Sequence, residues 1–475
     1  MIAPGDLIGA VIFLALMLTI VVIGEAWARL GSPDPEVSRK FVHLASAAAC
    51  LILPLLIESP FVVGGMAVGL SGFFLFTGYY RLLKSLHGVK RKSLGSECYT
   101  VAIFLVFLLA ADNYWIYVVS ILVLGVADAS AALVGIKYGR FRYNIQSAVK
   151  SMEGSFAFFT IVFFAVLIPS PFLVDLAWAN LLHIAFAMAL LLTCVEAVSI
   201  HGADNLFVPV AAAVLLEKLS VLALPVLLIH NLSLVALFAV AFFANLLLRA
   251  CTSGEDAPFE GGAIMVFALF TYGAWTLAGA PWVIPVIAAF LVAIIAWAAV
   301  KYMARLDLSI RIRPTFRAVI VPFALILIAH VTGAFEEFYG PYLTLGSAVL
   351  SFAIFGLWRP NPETRGPGYS IGFAAAIGLV AGTAFAVPVW ALFPQVGWTA
   401  PATIIAVVVL FSAINYRIVE RRVRSDHEFF WPASHVGLAA LAGLIVYLAQ
   451  YGEILPVWEL PEGTDFIRTA WEFWR

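Results

Sequence analysis

The sequence predicts an all-α polytopic membrane protein with about sixteen transmembrane helices and no soluble domain, each span taking roughly 20 apolar residues. Three observations predict it. Hydrophobic residues make up 63% of the 475 residues and charged residues only 12%, whereas a soluble domain carries about a quarter charged. Apolar runs of spanning length recur from one end of the chain to the other. The basic residues, finally, gather in loops that alternate spans bring to one side.

Taken in order, the spans start near residues 5, 41, 61, 97, 115, 154, 172 and 206, then near 232, 262, 281, 317, 341, 369, 398 and 433. The first lacks a basic n-region and a small-residue cleavage site, so it reads as a retained span and not a signal peptide. The eighth is interrupted by Glu217 and Lys218, and is either one kinked helix or a short helix followed by an interfacial one. Strict alternation puts every Lys and Arg on one face except Lys218, Arg468 and Arg475. That face is expected to be cytoplasmic, with both termini outside, in the cell (inner) membrane. A formal net charge of −1 argues against a nucleic-acid partner. The cysteines show no CxxC spacing, hence neither a zinc site nor a disulfide framework. The polar motifs all precede residue 215, which divides the chain into residues 1–250, carrying the chemistry, and 251–475, an additional membrane domain of unknown role.

Four segments carry that chemistry, because ionisable groups at a membrane boundary are costly unless paired or solvated. In Ser38-Arg39-Lys40-Phe41-Val42-His43, helical spacing puts Arg39, His43 and Ser46 on one face with Lys40 beside them. Cation and imidazole at a helix start can hold a phosphate, or can simply snorkel and pack. Arg91-Lys92-Ser93-Leu94-Gly95-Ser96-Glu97 is either a second anion-binding corner or a basic loop with a capping serine. In the third segment, Asp128, Ala132, Gly135 and Gly139 share a face, leaving a carboxylate above a bare groove open to a ligand or another backbone. Lys137 points away from that face. Lys150-x-x-Glu153-Gly154-Ser155 follows, with a cation and a carboxylate at the mouth of the next span. A phosphoryl donor needs Mg²⁺ on one or two carboxylates and cations on its phosphate oxygens, and this segment supplies both. The fourth segment, Glu196 to Asn205, is a short turn with an acid at each end. No GxxxxGK[ST] occurs, so a P-loop is excluded.

Arg39-Lys40-x-x-His43, Asp128–Gly139, Lys150-x-x-Glu153-Gly154-Ser155 and Glu196 through Asp204-Asn205 to Pro209 resemble, in order and spacing, the polyprenol kinase family of dolichol, phytol and farnesol kinases. The resemblance covers roughly residues 35–215. It implies transfer of the γ-phosphate of a nucleotide triphosphate, CTP, to an isoprenoid alcohol in the bilayer, on the cytoplasmic face. It also implies a nucleotide site built from the Asp128 stretch and Lys150–Ser155, completed by the Glu196–Asn205 turn. The roles that follow are Asp128 and Glu153 on Mg²⁺, Lys150 on the phosphates, and Glu196 or Asp204 as base or second metal ligand. His43 and Arg39 would orient the hydroxyl or a phosphate, with Lys40, Gly135, Gly139, Gly154, Ser155 and Asn205 in the nucleotide site.

Two other functions compete. A cytidylyltransferase making a CDP-lipid would want Lys-Asp and His-Gly-Gly elements, of which His201-Gly202-Ala203-Asp204 is a fragment. A secondary transporter should show inverted repeats and broken helices at midplane, whereas these acids lie at one face. From Thr252-Ser253-Gly254 onward no polar signature repeats.

Overall fold

The computed structural model describes residues 3–31, 33–80, 82–83, 85, 95–110, 112–145, 148–199, 202–251, 259–304, 310, 312–357, 370–392, 397–422 and 430–458. Arg91–Leu94, His201, Thr252-Ser253-Gly254 and the basic loop Arg359–Arg365 lie outside the described residues. The chain forms two compact units, Met1–Val235 and Ala236–Arg475.

In the first unit the helices are α1 (Pro4–Leu30), α2 (Pro35–Cys50), α3 (Pro60–Tyr79), α4 (Gly95–Ala110), α5 (Tyr114–Tyr138), α6 (Met152–Leu167), α7 (Trp178–Val198) and α8 (Asp204–Ser220). Helix α9 (Leu224–Cys251) follows and contains the unit boundary. Among the described residues, twelve helices are long and apolar enough to cross a membrane. That is fewer than the sixteen or so expected. The difference lies partly in α2 and α8, which at 16 and 17 residues are too short to qualify, and in α4, a shorter apolar helix. These are helices of the site described below. No soluble domain is present among the described residues.

Local chemistry fixes several helix starts. Asp34 caps α2 by accepting the Glu36 N–H at 2.8 Å, with Pro35 in the first turn. Ser151 caps α6 by accepting the Gly154 N–H at 3.1 Å. The stretch before it is a two-stranded antiparallel hairpin, β1 (Arg142–Ile145) with β2 (Ala148–Ser151). Tyr143 stands opposite Lys150 in that pairing, and its hydroxyl lies 2.8 Å from the Ser155 hydroxyl.

Helix α5 is interrupted by a π turn at Val123–Ala127. Widened turns of this kind free a carbonyl for an outside partner. Here the partner is His43, whose Nε2 lies 2.8 Å from the Leu124 oxygen, and since a carbonyl only accepts, Nε2 is the protonated nitrogen. At the same turn Gly125 meets Ala47 so closely that a Cβ would fall 2.2 Å from the alanine methyl. This contact draws α2 against α5 and aligns their polar residues.

The second unit is built from Gly261–Ala278, Ala280–Ala304, Ile312–Thr332, Phe335–Leu357, Ile371–Leu392, Thr399–Arg422 and Phe430–Tyr451. Leu345, Ala348 and Phe352 pack there with Phe411, Ala439 and Ala442. Trp282 packs against Tyr342 and Tyr339, with ring centroids 4.7 and 5.1 Å apart.

Candidate active site

Buried charges in an apolar bundle must be paired, and in the first unit they are paired across distant segments. Lys40 reaches from α2 to Asp128 at the end of the π turn, Nζ to Oδ2 2.5 Å. His43 Nε2 lies 3.3 Å from the same carboxylate oxygen. Tyr99 backs the imidazole edge-on at 4.8 Å and donates to the His43 carbonyl at 3.4 Å. Thus Asp128 holds Lys40 and His43 in fixed positions.

A second pair forms where the hairpin meets α7. Lys150 Nζ lies 2.8 Å from Glu196 Oε1 and also donates to the Glu196 carbonyl. Burial opposes the charge on Lys150, but Glu196 and then Asp204 more than offset it, and its pKa sits above the ordinary lysine value. Arg39 is tied to Glu36. Burial opposes its charge too, while Glu36, Asp128 and Asp204 more than restore it and raise its pKa. Arg39 and Lys150 therefore both feel Asp204, which joins the two pairs into one constellation. Asp204 itself has no hydrogen-bond or ion-pair partner among the described residues. Lys40, Lys150 and Arg39 are each in direct contact with another acid, and Asp204 acts on Arg39 and Lys150 without touching either.

Beside this constellation lies an apolar cavity of about 310 Å³ between α1, α2, α3 and α4. Its polar end is formed by Arg39, His43, Ser46, Ser96 and Asn205, and the remainder is hydrophobic. Asn205 is buried and donates to the Gly95 carbonyl at 2.9 Å, which seats the start of α8 on the start of α4. A separate, shallower cleft of about 540 Å³ is lined by Lys137, Arg140, Arg142 and Glu153 at the hairpin.

Two expectations need correcting. The bare groove is filled by protein. A Cβ at Gly154 would sit 2.8 Å from the Ala131 carbonyl oxygen, and one at Gly139 only 2.9 Å from Ser151 Cβ. Gly135, Gly139 and Gly154 thus let α5 and the start of α6 approach each other, and the room they leave is taken by the Ser151 side chain and the Ala131 carbonyl. Glu153 is not brought to Asp128. Its Oε1 accepts the N–H groups of Arg140 and Phe141 at 3.0 and 3.1 Å, just past the end of α5. Lys40 stands beside His43 as the helical spacing suggests, and both reach the same Asp128 oxygen. What the structure does bring together is Arg39, Lys40, His43, Asp128, Lys150, Glu196, Asp204 and Asn205. Sequence reasoning undervalued Lys137, which shares the hairpin cleft with Arg140 and Arg142; the signal was the cation spacing at 137, 140 and 142. It gave no sign of Phe13, Met17 and Phe74 in the cavity wall, since they look like any lipid-facing residues.

No family model matches the chain. No solved structure matches it either. Among curated proteins, a phytol kinase of Synechocystis is 32% identical over 203 residues, which is 41% of this chain and 84% of that protein. The order of the motifs and the identity across most of that relative lead to one statement: the chain belongs to the family of polyprenol and phytol kinases, through one segment of its length.

Proposed function

We propose that the first unit phosphorylates an isoprenoid alcohol dissolved in the membrane, at the cytoplasmic face, with CTP as the phosphoryl donor. The observation that carries this reading is the cavity. Its apolar length suits a prenyl chain, and its polar end meets the only cluster of paired buried charges found in that unit among the described residues. The name of the Synechocystis relative points to the same substrate class.

In this reading the alcohol hydroxyl lies at the His43–Arg39–Asn205 end. Its oxygen attacks the γ-phosphorus in line, the bond to the leaving nucleoside diphosphate breaks, and the developing charge is met by fixed cations. Lys150 serves that role by exchanging Glu196 for phosphate oxygens, which leaves Glu196 free to accept the hydroxyl proton. Lys137, Arg140 and Arg142 offer positive charge to the rest of the nucleotide from the hairpin cleft. Asp128 acts by positioning, since it keeps Lys40 and His43 in place.

Magnesium fits the donor set. It takes hard oxygen ligands and binds through one or two carboxylates plus substrate phosphates, and Asp204 is a carboxylate of that cluster with no direct cation contact. Asp204 replaces Glu153 as the residue expected to hold it. When bound, the ion neutralises charge on the phosphate oxygens.

The test uses purified protein, phytol and CTP labelled in turn at the α- and γ-phosphorus. Lipid-soluble label from the γ position alone supports kinase chemistry. Label from the α position would mean a CDP-lipid and a cytidylyltransferase.

A further inference from the structure

We infer that the far end of the apolar cavity is a ruler for chain length, set by Phe13, Leu53 and Val63; the inference rests on the isoprenoid-alcohol reading of the site. The cavity follows α2 from Arg39 to Cys50, about 17 Å at 1.5 Å per residue, and continues past the helix end to Leu53. An extended chain of tetrahedral carbons advances about 1.3 Å per bond of about 1.5 Å. A prenyl chain of four isoprene units, about sixteen carbons along its backbone, therefore runs from the polar end to the floor.

The floor is fixed, not a gap awaiting lipid. Phe13, Leu53 and Val63 are each at most 3% exposed. Just beyond them α1 is pinned to the segment joining α2 and α3. Gly9 lies against the Leu56 carbonyl so tightly that a Cβ would approach its oxygen to 2.1 Å. Asp6 accepts the Glu58 N–H at 2.8 Å and the Ser59 N–H at 3.4 Å. At its other end α1 is pinned again, with Gly24 against Val42 and Glu25 accepting the Ser85 N–H at 3.0 Å. Held at both ends, α1 cannot slide to lengthen the chamber. Between the pins the wall opens sideways, where Leu14, Leu18 and Phe73 are 38, 60 and 42% exposed. A lipid alcohol enters there. A chain that stops at the floor fills the chamber, a shorter one leaves the floor uncontacted, and a longer one must turn back out through the side.

Binding tests the ruler apart from catalysis. Full-length protein in phosphatidylglycerol nanodiscs is heated with farnesol, geranylgeraniol, phytol, geranylfarnesol or undecaprenol, and the rise in Tm is read for each. The wild type should rise most with geranylgeraniol and phytol. Leu53→Ala should move the maximum to geranylfarnesol, and Val63→Phe should move it to farnesol. A second shortening variant, Ala67→Leu, keeps the test open should Val63→Phe fail to fold. Equal rises for all alcohols, or a maximum that stays put in folded variants of both kinds, overturns the ruler. A length-dependent rise without turnover on any nucleotide would sustain the ruler and reject the kinase reading.

Discussion

At the scale of single residues, the site contains acids bound to a cation at rest and one, Asp204, that makes no direct contact with a cation. Asp128 is committed to Lys40 and His43, and Glu196 to Lys150. Breaking a buried pair from one side leaves an uncompensated charge and costs about 3–5 kcal/mol. Asp128→Asn should therefore lower thermal stability as well as turnover, the latter by about 100-fold, equivalent to about 2.7 kcal/mol of barrier. Lys40→Met combined with Asp128→Leu removes both charges, and should recover most of the stability while leaving turnover low. Melting curves set beside initial rates check both halves; recovery of turnover in the double variant would contradict a positioning role. Asp204→Asn should behave in the opposite way, losing turnover with melting much less affected, because the carboxylate acts on Arg39 and Lys150 without a direct hydrogen bond or ion pair to lose. Much of this was legible in the sequence. The shared face of Arg39, His43 and Ser46 follows from helical spacing, and all three line the cavity. The Lys40–Asp128 pair joins residues 88 apart in the chain, and no local periodicity reveals such a contact. Glu153 misled for a related reason, since what captures it is the backbone of a turn whose conformation the side chains do not announce.

At the scale of elements, the π turn in α5 and the glycine contact between α5 and α6 set the geometry. Spacing at a regular 100° per residue cannot foresee the π turn, yet it exposes the Leu124 carbonyl that fixes His43. The glycines were visible as a small-residue face, and that pattern serves packing as readily as ligand binding. Gly154→Ala tests which applies. Its Cβ would press on the Ala131 carbonyl oxygen at 2.8 Å, and overpacking of this kind costs about 1–3 kcal/mol. Gly65→Ala, with nothing within 4 Å of its Cβ, should be neutral or stabilise by up to about 1 kcal/mol through helix propensity. Thermal unfolding of the two variants side by side gives the comparison. A harmless Gly154→Ala would return that face to a ligand.

At the scale of the whole molecule, all the assembled site residues fall in the unit Met1–Val235. The curated relative is matched over 203 residues, under half of this chain. A chain truncated after Cys251 should retain phosphoryl transfer at a rate comparable to the full protein. A folded truncation that is inactive on every prenyl alcohol would mean that residues 251–475 contribute to the reaction. Hydropathy alone pointed to the membrane class at 63% hydrophobic residues, and twelve helices among the described residues are long and apolar enough to span. It overstated how uniform the helices are, for α2 and α8 trade apolar length for the polar residues that make the site. The most direct test of the account is a single-turnover measurement with the protein in excess over γ-labelled CTP, phytol present, comparing wild type with Asp204→Asn at matched melting temperature. The account predicts labelled phytyl phosphate from the wild type and a loss of about 100-fold in rate for the variant. Equal rates in the two proteins, or no lipid-borne label from the wild type with any nucleotide, would contradict it.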